Sequence, residues 1–211
     1  MPGSGLPPSK KDASGSQNGV YPPIRPKNNY LAFSISPVCM TDRKFPIGPF
    51  VTQERYTPAE ITDLLETIDQ CVGQYQPTAG SLSPAHLMKT YREGSWTVQQ
   101  LVHHVADIHL LHFLRMKKAL TEPDYREVTL INMDGWVKTA DGQDAPVADS
   151  LLMLDGINRR YLYLARSLTE SMLAVTYHHP VRQRQFNQAQ ALAMSAWHVQ
   201  HHLAHIRLAL A

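Results

Sequence analysis

Apolar residues recur every three or four positions in four separate stretches of the chain, the period that buries one face of a helix. In residues 58–74 the repeat is Ile61, Leu64, Leu65, Ile68 and Val72. Thr57 precedes Pro58, and Glu60 stands three positions after the threonine, a reciprocal cap on a proline start. The second stretch follows Gly94-Ser95-Trp96-Thr97 and runs to about Leu120, with Val98, Leu101, Val105, Ile108, His112, Met116 and Ala119 facing inward. The third, residues 147–168, carries Leu151, Leu154, Ile157, Tyr161 and Leu164 on one side. The fourth runs from Asn187 to the C-terminus along Leu192, Val199, Leu203, Ile206 and Leu210. No stretch alternates with a period of two between hairpin turn residues, so the pattern predicts no sheet.

Four amphipathic helices of this length predict an all-α four-helix bundle. Residues 121–145, with Pro123, Gly135 and Gly142, form a connection long enough to cross the whole bundle. The second and third helices can then run parallel, in the order up-down-down-up with a long crossover between helices 2 and 3. Residues 1–43 are rich in Pro, Gly, Ser and Asn and show no apolar period, the composition of a disordered extension. The predicted domain therefore covers residues 44–211.

Composition removes several function classes. The formal net charge is +2 and no basic stripe interrupts the chain, so nucleic acid is not an expected partner. No apolar run is long enough to span a bilayer, and the N-terminus lacks the apolar core of a signal peptide. Two cysteines, Cys39 and Cys71, make no disulfide framework and suit a reducing cytoplasm. There is no Ser-His-Asp order, no glycine-rich phosphate loop and no C-x-x-C.

Histidine is the exception: eleven are present. His103, His104, His109 and His112 form one cluster and His198, His201, His202 and His205 a second. Histidines at i and i+4 lie one turn apart on a helix face and can share a metal ion. The fourth helix offers His198 with His202, and His201 with His205. Measured from its apolar seam at about 100° per residue, His202 lies roughly 60–70° away and His198 about 100–110°. His201 and His205 point further outward, so the inner pair is His198 and His202. On the second helix His109 and His112 lie nearest the apolar face, His104 at its edge and His103 almost opposite. Periodicity does not single out a third ligand.

The segments FPIGPF (45–50), YREGSWTVQQLVHHVADIH (91–109) and AWHVQHHLAHI (196–206) closely resemble the DinB/YfiT-like superfamily, most of all its YfiT branch of metal-dependent hydrolases and bacillithiol transferases. The resemblance runs from about residue 44 to the end. It implies a four-helix bundle of up-down-down-up order and one divalent ion, Zn or Ni first, on the second histidine of H-H-x-x-D-x-H and both histidines of W-H-x-x-x-H. Those positions here are His104, His198 and His202.

Around these ligands several residues carry open readings. Asp107 is either a hydrogen-bond acceptor for a ligand imidazole or a solvated acid. His109 and His112 read as packed histidines with a partner, either of them able to line a pocket. His103, His201 and His205 read as peripheral, and His179, beside Pro180, as a connector residue or part of a pocket wall. Trp96 and Trp197 read as packing anchors. Arg115 reads as a surface charge or as the holder of a carboxylate on a thiol cofactor. Where the family carries an acid in the crossover this chain has Asn132, with Asp134 close by.

Three protein ligands leave a coordination position open, the arrangement of a catalytic site. The resemblance favours transfer of a low-molecular-weight, bacillithiol-like thiol to an electrophile, with hydrolysis through bound water as the alternative. A non-catalytic metal-binding stress protein is a third reading. The expected partner is a small-molecule substrate, with a homodimer as a guess.

Overall fold

Thr57, Thr97 and Asn187 each accept a hydrogen bond from the backbone N–H three residues on, while the side chain of that later residue accepts from the cap's own N–H. These reciprocal caps start three of the four long helices, because each satisfies two of the N–H groups a helix start leaves unpaired. The computed structural model describes residues 42–211. The expectation for residues 1–43 thus lies outside the described residues for 1–41, while the Arg43 guanidinium is seen to donate to the Tyr91 carbonyl.

In chain order the elements are α1 (Pro58–Gly73), α2 (Tyr75–Ala79), α3 (Pro84–Leu87), α4 (Val98–Thr121), α5 (Met133–Trp136), α6 (Ala140–Asp144), α7 (Val147–Arg166), α8 (Glu170–Leu173), β1 (Thr176–His179), β2 (Arg184–Asn187) and α9 (Gln188–Leu210). The long helices α1, α4, α7 and α9 match the four periodic stretches to within two residues at nearly every end. Their seams meet in one core that includes Ile68, Leu101, Val105, Leu154, Tyr161, Leu192, Val199 and Ile206.

Side-chain pairs along the helices give their directions. His103 meets Ser150, His109 meets Asn158 and the Arg160 guanidinium lies over the Phe113 ring, so α4 and α7 run parallel. His112 meets Ser195 while His104, further back on α4, meets His198, so α4 and α9 are antiparallel. Gln53, just before α1, bonds to Gln190 at the start of α9, and Gln74 bonds to Arg207 near its end, so α1 and α9 are parallel. The order is up-down-down-up, and α5 and α6 lie within the crossover.

The absence of a sheet is corrected. β1 and β2 form an antiparallel hairpin with Tyr177 opposite Phe186. Each strand has four residues and buries one side chain, Tyr177 or Phe186. A period of two cannot show itself over so few positions, and Pro180 in the turn further masks it. The hairpin is not free-standing: His178 exchanges backbone hydrogen bonds with Arg126 and Val128 of the crossover. Val128, Tyr177 and Phe186 form a small second core there, with Met194 of α9 packed against it.

Candidate metal centre

Helix α9 is buried on nearly all sides, which its sequence does not suggest. Residues 44–48 and Tyr91 cover the face expected to meet solvent. The Tyr91 ring stacks on His205 with centroids 3.8 Å apart, and Phe45 lies 6.0 Å from His201. Trp197 Nε1 donates to the Gly48 carbonyl over 3.1 Å. Gly48 adopts φ +82°, a conformation that glycine takes without strain, and so lets the FPIGPF segment turn against the helix. His201 and His205 are consequently buried rather than peripheral, at 6% and 2% exposure. His103 is corrected in the same sense: its two ring nitrogens meet Ser150 Oγ and the Ala145 carbonyl, where the crossover delivers the start of α7.

The structure brings His104, His198 and His202 together, one ring nitrogen of each within 4.8 Å of the others. His104 Nε2 and His198 Nε2 face each other at 3.2 Å. His104 reaches the centre from the edge of the α4 seam because α9 crosses α4 antiparallel there and presents His198 and His202 one turn apart. Trp96, at the entry to α4, packs its ring 4.6 Å from that of His104 and steadies it. Burial pushes His104 down to about 4, and pushes His198 and His202 well below the ordinary imidazole value. All three are therefore neutral at physiological pH, the form in which histidine binds a metal. Among the described residues no carboxylate or thiolate joins the group. Three converging neutral nitrogens at a cavity wall fit a divalent ion with a coordination position left over.

Hydrogen bonding fixes the tautomer of one of these rings. The Lys44 carbonyl can only accept, so His205 Nε2, 3.2 Å away, carries a proton. His205 Nδ1 is then an acceptor, and His202 Nδ1, 3.3 Å from it, must be the donor. His202 keeps a lone pair on Nε2. A second group, His201, His202 and His205, also has nitrogens within 4.8 Å of one another. Both nitrogens of His205 are already engaged, however, which leaves the first group better suited to an ion.

A second network sits one turn along. Ser195 Oγ donates to the Ala191 carbonyl and is therefore the acceptor for its two other neighbours, Tyr161 O–H at 3.0 Å and His112 Nδ1 at 2.9 Å. This assignment satisfies every group and leaves His112 Nε2 unprotonated. His112 lines the cavity, and its ring centroid lies 5.7 Å from that of His198. His109, in contrast, is packed away from the cavity with Nε2 on Asn158.

Asp107 makes no hydrogen bond to a histidine among the described residues. Burial, and secondarily the charge of Asp141, raises it to about 6. His205 takes the orienting role that Asp107 was a candidate for. Its signal in the sequence was the i, i+3 step from His202, hidden by the assumption that this face meets water. Ser195 and Tyr161 gave no signal beyond their places on inward helix faces.

His104, His112, His198, His201, His202 and His205 line a cavity of about 820 Å³. Its walls include His179 and Arg115, both uncertain from sequence, together with Asp134. Asn132 instead caps α5 by accepting from the Gly135 N–H. Among the described residues no helix is long and apolar enough to cross a membrane.

Comparison with known proteins agrees with this architecture. Residues 67–206 match the family model of the DinB superfamily. A protein of Oceanobacillus iheyensis named "putative metal-dependent hydrolase" is 39% identical over 169 residues, covering 80% of this chain and 96% of its own. A protein of the same name from Bacillus pumilus is 35% identical over 167 residues, covering 79% of this chain and 94% of its own. The solved structure of YfiT from Bacillus subtilis, described as having "an unusual four-helix bundle topology", superposes with a TM-score of 0.75 at 27% identity, over 78% of this chain and 94% of its own. By sequence, by bundle order and by its buried histidine cluster, the chain belongs to the DinB superfamily and to its YfiT-like branch.

Proposed function

We propose that the protein is a metal-dependent hydrolase in which His104, His198 and His202 hold one divalent ion, Zn or Ni first among those that imidazole donors suit. The observation that carries this reading is the convergence of three neutral, buried ring nitrogens at the wall of a cavity, with no fourth ligand group beside them among the described residues. Such an ion supplies a Lewis acid that lowers the pKa of a water and polarises a carbonyl or similar group. The curated relatives named as hydrolases support water as the nucleophile.

The protein's own residues divide the remaining work. His205, held by the Lys44 carbonyl, keeps His202 in the tautomer with Nε2 unprotonated. His112 accepts the nucleophile's proton at Nε2, and Ser195 with Tyr161 holds its Nδ1–H in place. Burial keeps His112 neutral, and the bond from Nδ1–H to Ser195 leaves the Nε2 lone pair as the free acceptor. Trp96 and the apolar walls restrict bulk water around the three imidazoles.

The test is a panel of chromogenic esters and amides offered to protein reconstituted with Zn or Ni, with and without a small thiol. Turnover that follows metal content, ignores thiol and disappears in His198→Ala is expected. Turnover that requires thiol and yields a thioether conjugate would replace hydrolysis with the transferase reading.

A further inference from the structure

Helix α4 forms one wall of the cavity along its length. His104, Ile108, His112 and Arg115 all line it. From His104 to Arg115 is eleven residues, about 16 Å along the axis at the helical rise. The reacting end of the cavity is therefore separated from its far end by a run of apolar wall, to which Ile108 and Leu111 contribute from α4 and Met194 from α9.

That far end is cationic. Arg115 donates from Nε and Nη2 to the Thr129 carbonyl, at 3.1 and 2.6 Å, which fixes the guanidinium plane and leaves Nη1 uncommitted. The side chain is half-buried, and among the described residues no carboxylate lies within 4 Å of it. A guanidinium taken partly out of water without a counter-ion is an unusual placement, since the charge loses hydration and gains no partner. Arg182, in the turn of the hairpin and over the Phe50 ring, lines the same cavity and likewise has no carboxylate within 4 Å among the described residues. His179 also lines it and accepts from the Arg182 N–H at 3.4 Å. Burial, and then the charges of Arg115 and Arg182, hold His179 at about 4, consistent with both guanidinium groups lying near its ring. Of the charged side chains among the described residues around the cavity, Lys44, Arg92, Arg115 and Arg182 are cationic and Asp134 alone is acidic.

The geometry points to a substrate with an oxyanionic tail, seated between Arg115 and Arg182, an apolar body along Ile108, Leu111 and Met194, and its reacting group at His104, His198 and His202. This rests on the hydrolase reading for the reacting group but not for the tail. The anchored guanidinium offers a directional N–H donor as well as charge, which suits a carboxylate or a phosphate monoester.

The test uses metal-free protein, so that binding of the tail is read apart from any metal chemistry. Calorimetric titrations compare 4-phenylbutyrate and 3-phenylpropyl phosphate with the neutral 4-phenylbutyramide. At least one anion should bind about tenfold or more tightly than the amide, with an affinity that falls as salt rises. The tighter of the two identifies the headgroup. Arg115→Gln should erase the difference, Arg115→Lys should retain part of it, and Arg182→Gln should reduce it. Because Arg115 also braces the crossover, circular dichroism and the Arg182→Gln variant guard against a folding defect. Equal binding of amide and anions by the wild type, or anion binding unchanged in both Gln variants, would overturn the inference. Loss of hydrolysis in metal-loaded protein with the anion preference intact would count against the hydrolase reading alone.

Discussion

His202 and His205, less than one turn apart on α9, face each other through their Nδ1 atoms at 3.3 Å, and the Lys44 carbonyl beyond His205 sets which ring gives the proton. Partners that orient a ligand imidazole typically change metal affinity by 10–100-fold when removed. His205→Ala is therefore expected to weaken metal binding by roughly one to two orders of magnitude while leaving one site per chain. Competition against a chromophoric chelator measures both quantities. Unchanged affinity would show that His205 merely fills space beneath Tyr91.

Acid should destabilise the metal-free protein. His104 and His109 have folded-state values near 4, below an ordinary value of 6.5. Below 6.5 the unfolded chain therefore takes up protons that the folded chain does not. These groups leave stability flat above that pH and lower it as pH drops from about 6.5 towards 4, against a smaller opposite contribution from Asp107. Each such histidine contributes at most about 1.4 kcal/mol per pH unit. Urea melts at several pH values should show the midpoint declining through this window, and a midpoint level down to pH 5 would contradict the burial of neutral imidazoles.

Ser195→Ala removes the shared acceptor of Tyr161 and His112. Two buried donors lose a partner, at roughly 1–3 kcal/mol each unless water enters. Freed of its Nδ1 bond, His112 can also turn or switch tautomer. The variant is expected to melt lower and to lose kcat more than KM, whereas Tyr161→Phe, which leaves the Ser195–His112 bond in place, should lower stability with a smaller effect on kcat.

Asn187 joins the hairpin to α9 and caps that helix reciprocally with Gln190. Asn187→Ala should cost about 1 kcal/mol, read as a lower urea midpoint. A change to Ala at an exposed helix position with no side-chain partner among the described residues, such as Gln70 of α1, is expected to stay within about 0.5 kcal/mol.

The long helices were legible because their signals are local. Thr57 with Glu60 and Thr97 with Gln100 announce helix starts within four residues, and the apolar period then repeats for several turns. The bundle order was legible from the length of the crossover. The hairpin was not, since four-residue strands burying only Tyr177 and Phe186 carry too little pattern. The site was legible in part. His198 and His202 stand out as an i, i+4 pair on the inner side of α9, but His104 came from family resemblance, because its place depends on how α9 crosses α4. The burial of His201 and His205 depends on residues 44–48 folding back across 149 and 161 positions of sequence to meet Trp197 and His205. A helical wheel contains no information about such a contact.

The central claim is that three imidazoles from two antiparallel helices share one ion. Anomalous diffraction from crystals of protein loaded with Zn or Ni tests it most directly. A single peak about 2.0–2.1 Å from one nitrogen each of His104, His198 and His202 is the predicted result. A peak on His201 and His205 instead, or none at full loading, would contradict it.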